Sequence, residues 1–492
     1  MKQISLILAA LILASALVSC SDAKGDSSST AATASVTTSS ADTTADDSNF
    51  GAASRKYANT DFDGYTARFL VRGTGESSFW NEIYYDEQSG EVLSDSIVAR
   101  NRQVEELLNI KIEAIWTDDG FEGALNNAQN AILAGEDAYD FVLTSMQFVL
   151  TPLARQGMLM NLNDVGTLNL SDAWWDANIV NNFTLFGDTL YQISGDFNFF
   201  DDYASAGLLI NKKLCESVGF DVPYQAVRDG SGTIDKLGEM CTAFAQDINA
   251  DGKITLADKV GYLDNSGIMI HNYYSAGRGL TSMDSDGNLY YNMEEQSCID
   301  TIDRIKTVFG GGGWAVSSDQ YDDIRQKFID GDSLFYASAI GGLMQIRDME
   351  DDFGVLPNPK ITEAQSGYGA FVSNGWLSAA SIPVTASDPE RSGVILDCMA
   401  MLSTETVKTA VYDMMLSSKL VRDDESVEMM NEYIMPCRVY DYVSDIPGGD
   451  NMLAILTSQY KSSSNTYASS LQKKLPAANE KLATFLSDMK GE

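Results

Sequence analysis

Hydrophobic positions along this chain fall into short alternating or continuous runs, set between longer stretches with helical spacing. Thr66-Ala67-Arg68-Phe69-Leu70-Val71-Arg72 alternates and then breaks at Gly73-Thr74-Gly75, which predicts a strand and a loop. Ser94 to Leu108 puts Ile97, Val98, Val104, Leu107 and Leu108 on one helical face. Lys111 to Trp116 alternates again, Leu125 to Leu133 reads as a helix, and Tyr139 to Leu143 as a buried strand. A helix over Gln147 to Gln156 should end at Gly157. Leu190 to Ile193 and Ala206 to Ile210 are two more strands, and Asn211-Lys212-Lys213-Leu214 opens a helix. Strands that alternate with helices predict βαβ units around mostly parallel sheets.

Later, Leu334-Phe335-Tyr336 follows a Gly-Asp break and suits a buried strand entered from a turn. A helical run extends to Met349, and Phe353 to Leu356 is a second short apolar run stopped by Pro357 and Pro359. Two strands with a helix between them, closing on Gly367 to Phe371, read as the return of the chain to a domain it left earlier. Gly310 to Gly313 reads as a surface loop.

The chain has 492 residues, 44% of them hydrophobic, enough for more than one domain. Lys plus Arg is 33 against 70 Asp plus Glu, a net charge of −37. That balance argues against nucleic acid, whose phosphates need clustered Lys and Arg. At the start, Met1-Lys2 precedes an uncharged apolar run from Ile4 to Val18, which reads as a signal peptide over 1–19. The run is short for a membrane span. It ends in Leu17-Val18-Ser19-Cys20, which resembles a bacterial lipobox and marks Cys20 for lipidation. The Ser, Thr and Ala-rich stretch that follows, 20–58, lacks large apolar residues apart from Phe50 and Tyr57 and is expected to be a disordered tether. Five further cysteines, Cys215, Cys241, Cys298, Cys398 and Cys437, show no metal-pair spacing. They are expected to be mostly buried thiols, with a Cys215–Cys241 bridge left open.

Gly187-Asp188-Thr189-Leu190-Tyr191, then a strand, Asn211-Lys212, Gly219-Phe220 and Pro223-Tyr224 follow one another in an order that resembles the extracellular solute-binding proteins of carbohydrate ABC importers. The likeness extends over Asp140 to Leu162 and Phe328 to Pro383, and so over most of Tyr65 to Leu402. Gly232 stands where that family usually has Trp. The resemblance implies an α/β, two-lobed, periplasmic-binding-protein-like type II fold. Each lobe would be a mixed, mostly parallel sheet flanked by helices, with multiple hinge crossings. It places lobe one at 59–199 plus 332–370 and lobe two at 200–331 plus 371–492. Ligand would sit between the lobes, at strand ends, where open α/β sheets bind ligands on general grounds.

Sugars offer apolar faces that stack on aromatic rings and hydroxyls that polar groups read. The candidates on loops expected to face the cleft are Trp80, Phe199, Tyr203, Tyr273, Tyr368 and Trp376, with Gln147, Asp196, Asn198 and Asn272 to read hydroxyls. Each aromatic is at least as well explained by core packing.

The sharpest local motif is Asp247 to Asp258. Oxygen-bearing side chains fall at its positions 1, 3, 5 and 12 (Asp247, Asn249, Asp251, Asp258), with Gly252 at position 6. This spacing wraps hard oxygens round a Ca²⁺ ion, Lys253 giving its carbonyl and Thr255 a hydroxyl or a water contact. Asp at position 12, where Glu is usual, weakens bidentate closure. The loop also looks like half of a dockerin, but the nearest second copy, Asp284 to Asn288, lacks a ligand at its first position and reads as a hairpin turn. A structural calcium is expected. Gly331-Asp332-Ser333-Leu334 spells a serine-esterase block, yet that chemistry needs a downstream His and the one His is His271.

The expectation is a non-enzymatic, monomeric, lipid-anchored protein on the outer face of a bacterial cytoplasmic membrane. It would touch the membrane through the anchor alone, capture a sugar or oligosaccharide, and deliver it to ABC permease subunits. A secreted glycoside hydrolase or a glycan-binding adhesin is the alternative.

Overall fold

A computed structural model describes residues 48–492 apart from 74–80, 118–119, 265–266, 418–420 and 462–465. Cys20, the signal peptide, nearly all of the tether and Trp80 lie outside the described residues.

Two separate sheets organise the body. The first begins with β1 (Tyr65–Arg72), β2 (Ile110–Thr117) and β3 (Phe141–Ser145), β1 lying parallel between the other two. Helices over Val92–Leu108 and Gly120–Leu133 make the connections, as parallel pairing requires a crossover. Every residue of β3 is buried, and Phe69 stacks on Phe141 with ring centroids 4.3 Å apart. Strands covered on both faces read as continuous apolar runs, which is why Phe69, Leu70 and Val71 are all buried despite the alternation before them.

The second sheet starts with β4 (Ala206–Asn211) and β5 (Val260–Asp264). A hairpin of β6 (Thr281–Met283) and β7 (Leu289–Tyr291) follows, its turn at Asp284 to Asn288. β8 (Ala315–Ser317), β9 (Ser333–Ala339) and β10 (Phe353–Leu356) then complete the second sheet in the order β10-β4-β9-β5-β8. Two of its pairings are parallel and two antiparallel, so it is less parallel than expected. β11 (Ala370–Phe371) leads back to β12 (Ser378–Ser381), which adds to the first sheet antiparallel to β3. Finally β13 (Arg438–Val439) pairs with β11.

The chain therefore changes sheet at the short helix Phe200–Tyr203 and again between β10 and β12. This corrects the late boundaries. β9 and β10, expected in lobe one, belong to the second sheet, and β12, expected in lobe two, belongs to the first. β9 runs parallel to β5, so a chain returning with two strands and a turn completes the sheet it is in before it crosses. The expected strand at Leu190 to Ile193 reduces to isolated bridges, one of them Ile193 to Ala380. Gly310 to Gly312 is no loop but the last turn of the helix Gln296–Gly312, with Gly313 as left-handed cap at φ 61°. A side chain at Gly312 would collide with the buried Trp314 indole, so that glycine serves packing.

All five cysteines in the described residues are free, and four are fully buried.

Candidate functional site

The strand ends of the first sheet meet the second crossing at Trp376. Arg72 ends β1, Trp116 lies near the end of β2, and Thr144 and Ser145 end β3. Together with Glu82, Ser378 and Trp376 they line a small hollow. Trp376 also lines a larger cavity of about 420 Å³ on the other side, with Tyr203, His271, Tyr321, Tyr336 and Phe371. Arg325, Ser338 and Gln345 add polar edges. One half-exposed indole (47%) thus joins both hollows, and Tyr321 (57%) and Phe148 (44%) are exposed as well. Large apolar rings held in water are the unusual observation for a folded chain.

Local sequence positions these rings. Ser145 accepts the Phe148 N–H at 3.3 Å and starts a π-turn over Met146–Leu150, replacing the first turn of the expected regular helix. Such turns aim side chains outward at functional sites. Gly375 lies so close to Phe148 that a Cβ there would sit 2.8 Å from its ring, so glycine lets the Trp376 loop pass over it.

The first crossing is held from behind. Glu82 is buried, and its Oε1 accepts the N–H groups of Phe199 (2.8 Å) and Phe200 (3.0 Å) at the start of the crossing helix. Burial raises its carboxyl above the usual range, and the two N–H donors and Ser378 oppose that shift. Arg100, wholly buried, donates to the carbonyls of Phe197 (3.1 Å), Glu82 (3.3 Å) and Ile83 (3.4 Å). Burial lowers its pKa to about 9. The crossing and the Glu82 loop are thereby fixed to one another. Arg72 lies 4.0 Å over the Phe121 ring, its pKa lowered to about 10 by burial against the pull of Glu82. Arg325 pairs with Asp322 at 2.6 Å, and His271 Nδ1 lies 3.0 Å from the buried Asp264. The two arginines near the cleft, Arg72 and Arg325, thus have acidic neighbours.

Tyr203 is 3% exposed, packs on Phe199 at 5.0 Å, and lines the larger cavity. Its hydroxyl is buried with no hydrogen-bond partner among the described residues. A buried hydroxyl left unsatisfied is costly.

Of the residues singled out from sequence, Tyr203 and Trp376 come together here. The others do not. Phe199 packs in the core against Phe200. Tyr273 is buried with its hydroxyl on Cys298 Sγ at 3.0 Å, and Asn272 donates to the Ile268 carbonyl at 2.9 Å. Asn198 donates to the Ser378 carbonyl at 2.6 Å, a structural clasp between the first crossing and β12. Gln147 donates to the Ser444 carbonyl at 3.2 Å. Tyr368 donates to the Val227 carbonyl at 3.1 Å, in a separate apolar hollow. Asp196 pairs with Lys408 at 2.8 Å beside a different cavity. Missed were Arg72 and Trp116, which strand-end logic could have flagged, and Phe148 and Tyr321, whose exposure no local pattern encodes.

In the loop Asp247 to Asp258, Asp247 Oδ2 accepts the Gly252 N–H at 2.7 Å and Asn249 Oδ1 that of Asp251 at 2.9 Å. Asp258 accepts from Ile248 and Thr255 at 3.0 and 2.9 Å. Lys253 donates its N–H to Asp251 at 2.9 Å. Ala250 and Gly252 take left-handed φ of 58° and 81°. Among the described residues no three acidic, His or Cys side chains converge as a metal centre. A cation would compete with these N–H donors for the same oxygens.

No family model matches the chain, and no curated protein does. Solved structures do. UspC of Mycobacterium tuberculosis is 16% identical, with 85% of this chain and 100% of that one aligned and a TM-score of 0.57. UgpB of the same organism, solved with glycerophosphocholine, is 18% identical over 86% and 98% of the two chains, TM-score 0.54. An ABC transporter solute-binding protein of Thermotoga lettingae, bound to α-D-tagatose, is 14% identical over 85% and 100%, TM-score 0.53. No helix among the described residues is long and apolar enough to cross a membrane. The two mixed sheets, the crossings between them and these likenesses establish the fold of the chain as that of the solute-binding proteins of ABC transporters.

Proposed function

We propose that this protein captures a sugar or oligosaccharide at the Trp376 cleft and delivers it to an ABC importer. One observation carries the reading: a cavity of about 420 Å³ at the sheet crossings, with the exposed rings of Trp376 and Tyr321 on its wall. Rings stack on apolar sugar faces, and Ser338 and Gln345 on the wall offer neutral polar groups to the hydroxyls of a polyol. The acidic neighbours of Arg72 and Arg325 favour an uncharged ligand over a phosphodiester such as the one in UgpB. The tagatose complex of the Thermotoga lettingae protein supports the carbohydrate class. Binding without turnover is the activity this predicts. Thermal unfolding against a panel of mono- and oligosaccharides tests it, with glycan hydrolysis assayed alongside. A shift without sugar release supports capture, and release of sugar moves the assignment to a hydrolase.

The finer parts of the proposal rest on sequence. Lipidation at Cys20 would hold a monomeric body off the outer face of the cytoplasmic membrane, and mass spectrometry of the membrane fraction tests it. Calcium would be held by Asp247, Asn249, Asp251 and Asp258 with the Lys253 carbonyl and Thr255. A melting temperature that falls in chelator and returns with Ca²⁺ supports this, and an unchanged one counts against it.

A further inference from the structure

A second cavity of about 230 Å³ lies behind the first crossing, and its chemistry is unlike that of the cleft. Arg438, on β13, reaches into it and meets three carboxylates: Asp176 at 3.0 Å, Asp201 at 3.2 Å and Asp202 at 3.1 Å. The acids come from two separate places. Asp176 caps the helix Ala177–Phe183 by accepting the Asn178 N–H at 2.7 Å, while Asp201 and Asp202 lie in the crossing helix Phe200–Tyr203. β13 is itself paired with β11, part of the second crossing. The guanidinium therefore ties the first crossing to the Asp176 cap, and the strand that carries it pairs with β11 on the second crossing.

The charges do not balance. Three carboxylates face one guanidinium, and the other cation lining the cavity, Lys408, is engaged by Asp196 at 2.8 Å, which Thr404 also serves at 2.6 Å. Tyr440, on the chain just after β13, donates to Asp176 at 2.9 Å, and Tyr412, on the helix Val407–Ser417, lines the cavity from the other side. Both phenols are raised by burial and stay neutral donors, Tyr412 to about 12. Low-dielectric surroundings make an uncompensated buried charge expensive, so the cluster holds a proton rather than carry three full negative charges. Burial first, then Asp202, push the Asp201 carboxyl well above the usual range, with Arg438 opposing. Burial raises Asp202 as well. The cavity gives that proton a way out.

We propose that the Arg438 cluster is a proton-sensitive lock on the hinge. With a proton on Asp201, the guanidinium holds the crossings together. Loss of that proton to solvent as pH rises adds a buried negative charge and loosens the crossing helix that carries Tyr203. The inference rests on the reading of this protein as one whose lobes move about these crossings.

Hydrogen exchange of the ligand-free protein tests it, so that failure of the sugar assignment leaves this result separately readable. After correction for intrinsic base catalysis, protection of the amides 199–205 should fall at least tenfold between about pH 5 and about pH 8.5, tenfold being the change per unit of pKa difference. Asp201→Asn keeps the shape and removes the titration, so its protection should be flat with pH. Asp202→Asn removes the like charge that adds to burial in raising Asp201 and should move the wild-type midpoint down. If Asp201→Asn fails to fold, the Asp202→Asn midpoint decides. A wild-type pH profile retained in Asp201→Asn, or an unmoved midpoint in Asp202→Asn, overturns the proposal.

Discussion

Removing a single oxygen from Tyr203 separates a ligand-binding role from a structural one. In the free protein this hydroxyl is buried and has no partner among the described residues, so it costs rather than contributes stability. An unsatisfied buried hydroxyl is worth about 1–3 kcal/mol against the fold. Tyr203→Phe keeps the ring that packs on Phe199 and Phe200 and removes that penalty, so unfolding should be unchanged or shifted toward greater stability. A sugar that uncovers the hydroxyl on binding and accepts from it would lose one neutral hydrogen bond in the variant, worth about 1 kcal/mol net, or roughly a fivefold weaker Kd. Burial raises the phenol above its ordinary range, so it remains a neutral donor at every pH at which the protein is handled. Urea denaturation gives the first number and calorimetric titration with the tightest sugar of the panel gives the second. A variant that is destabilised by 1 kcal/mol or more while binding as well as wild type would refute the reasoning, because the hydroxyl would then serve the core.

Other expectations follow from neighbouring groups. Trp376→Ala should leave stability within about 0.5 kcal/mol, since the ring is half exposed, and should weaken sugar binding by about 1 kcal/mol or more on titration. Asp445, buried and bonded by Thr151 at 2.9 Å and by Asn374 two residues before Trp376, has its carboxyl raised to about 7 by burial. Its ionised form is costly in the folded state, so its share of stability is full below the unfolded pKa near 4 and is lost as pH rises toward and through 7. Wild type minus Asp445→Asn should show that loss, on the order of 4 kcal/mol at most, in urea unfolding at about pH 4 and pH 8. A difference that grows in the opposite direction contradicts the assignment of that proton.

Much of the fold was legible from periodicity. β1, β2, β3, β4, β9 and β10 all lie where apolar runs bounded by Gly, Asp or Pro placed them, because strand length and turn chemistry are local. Sheet membership was not legible. Nothing in Leu334 to Leu356 says which sheet those strands join, since that depends on pairing partners over a hundred residues away, Ala206 to Asn211 among them. Glycine misled at 310–313, where the helix Gln296–Gly312 runs through three glycines and Trp314 needs the space at Gly312. The site was half visible. Tyr203 and Trp376 lie on segments that cross between sheets, and crossings show in sequence as breaks between runs. Asn272 and Tyr273 follow His271 by one and two residues and face the core instead, a difference of rotation about a helix axis that a seven-residue helix hides. Phe148 points outward through a π-turn, which shifts register by one residue and has no sequence signature of its own.

The central claim is capture of a sugar at the Trp376 cleft, and thermal unfolding of the 21–492 form against a sugar panel tests it most directly. A ligand at about a hundred times its Kd should add about 2.7 kcal/mol, a clear shift of the transition. The account predicts that shift for one glycan class, lost or reduced in Trp376→Ala and Tyr203→Phe. A panel in which no sugar moves the transition, or a shift that both variants retain in full, would contradict it.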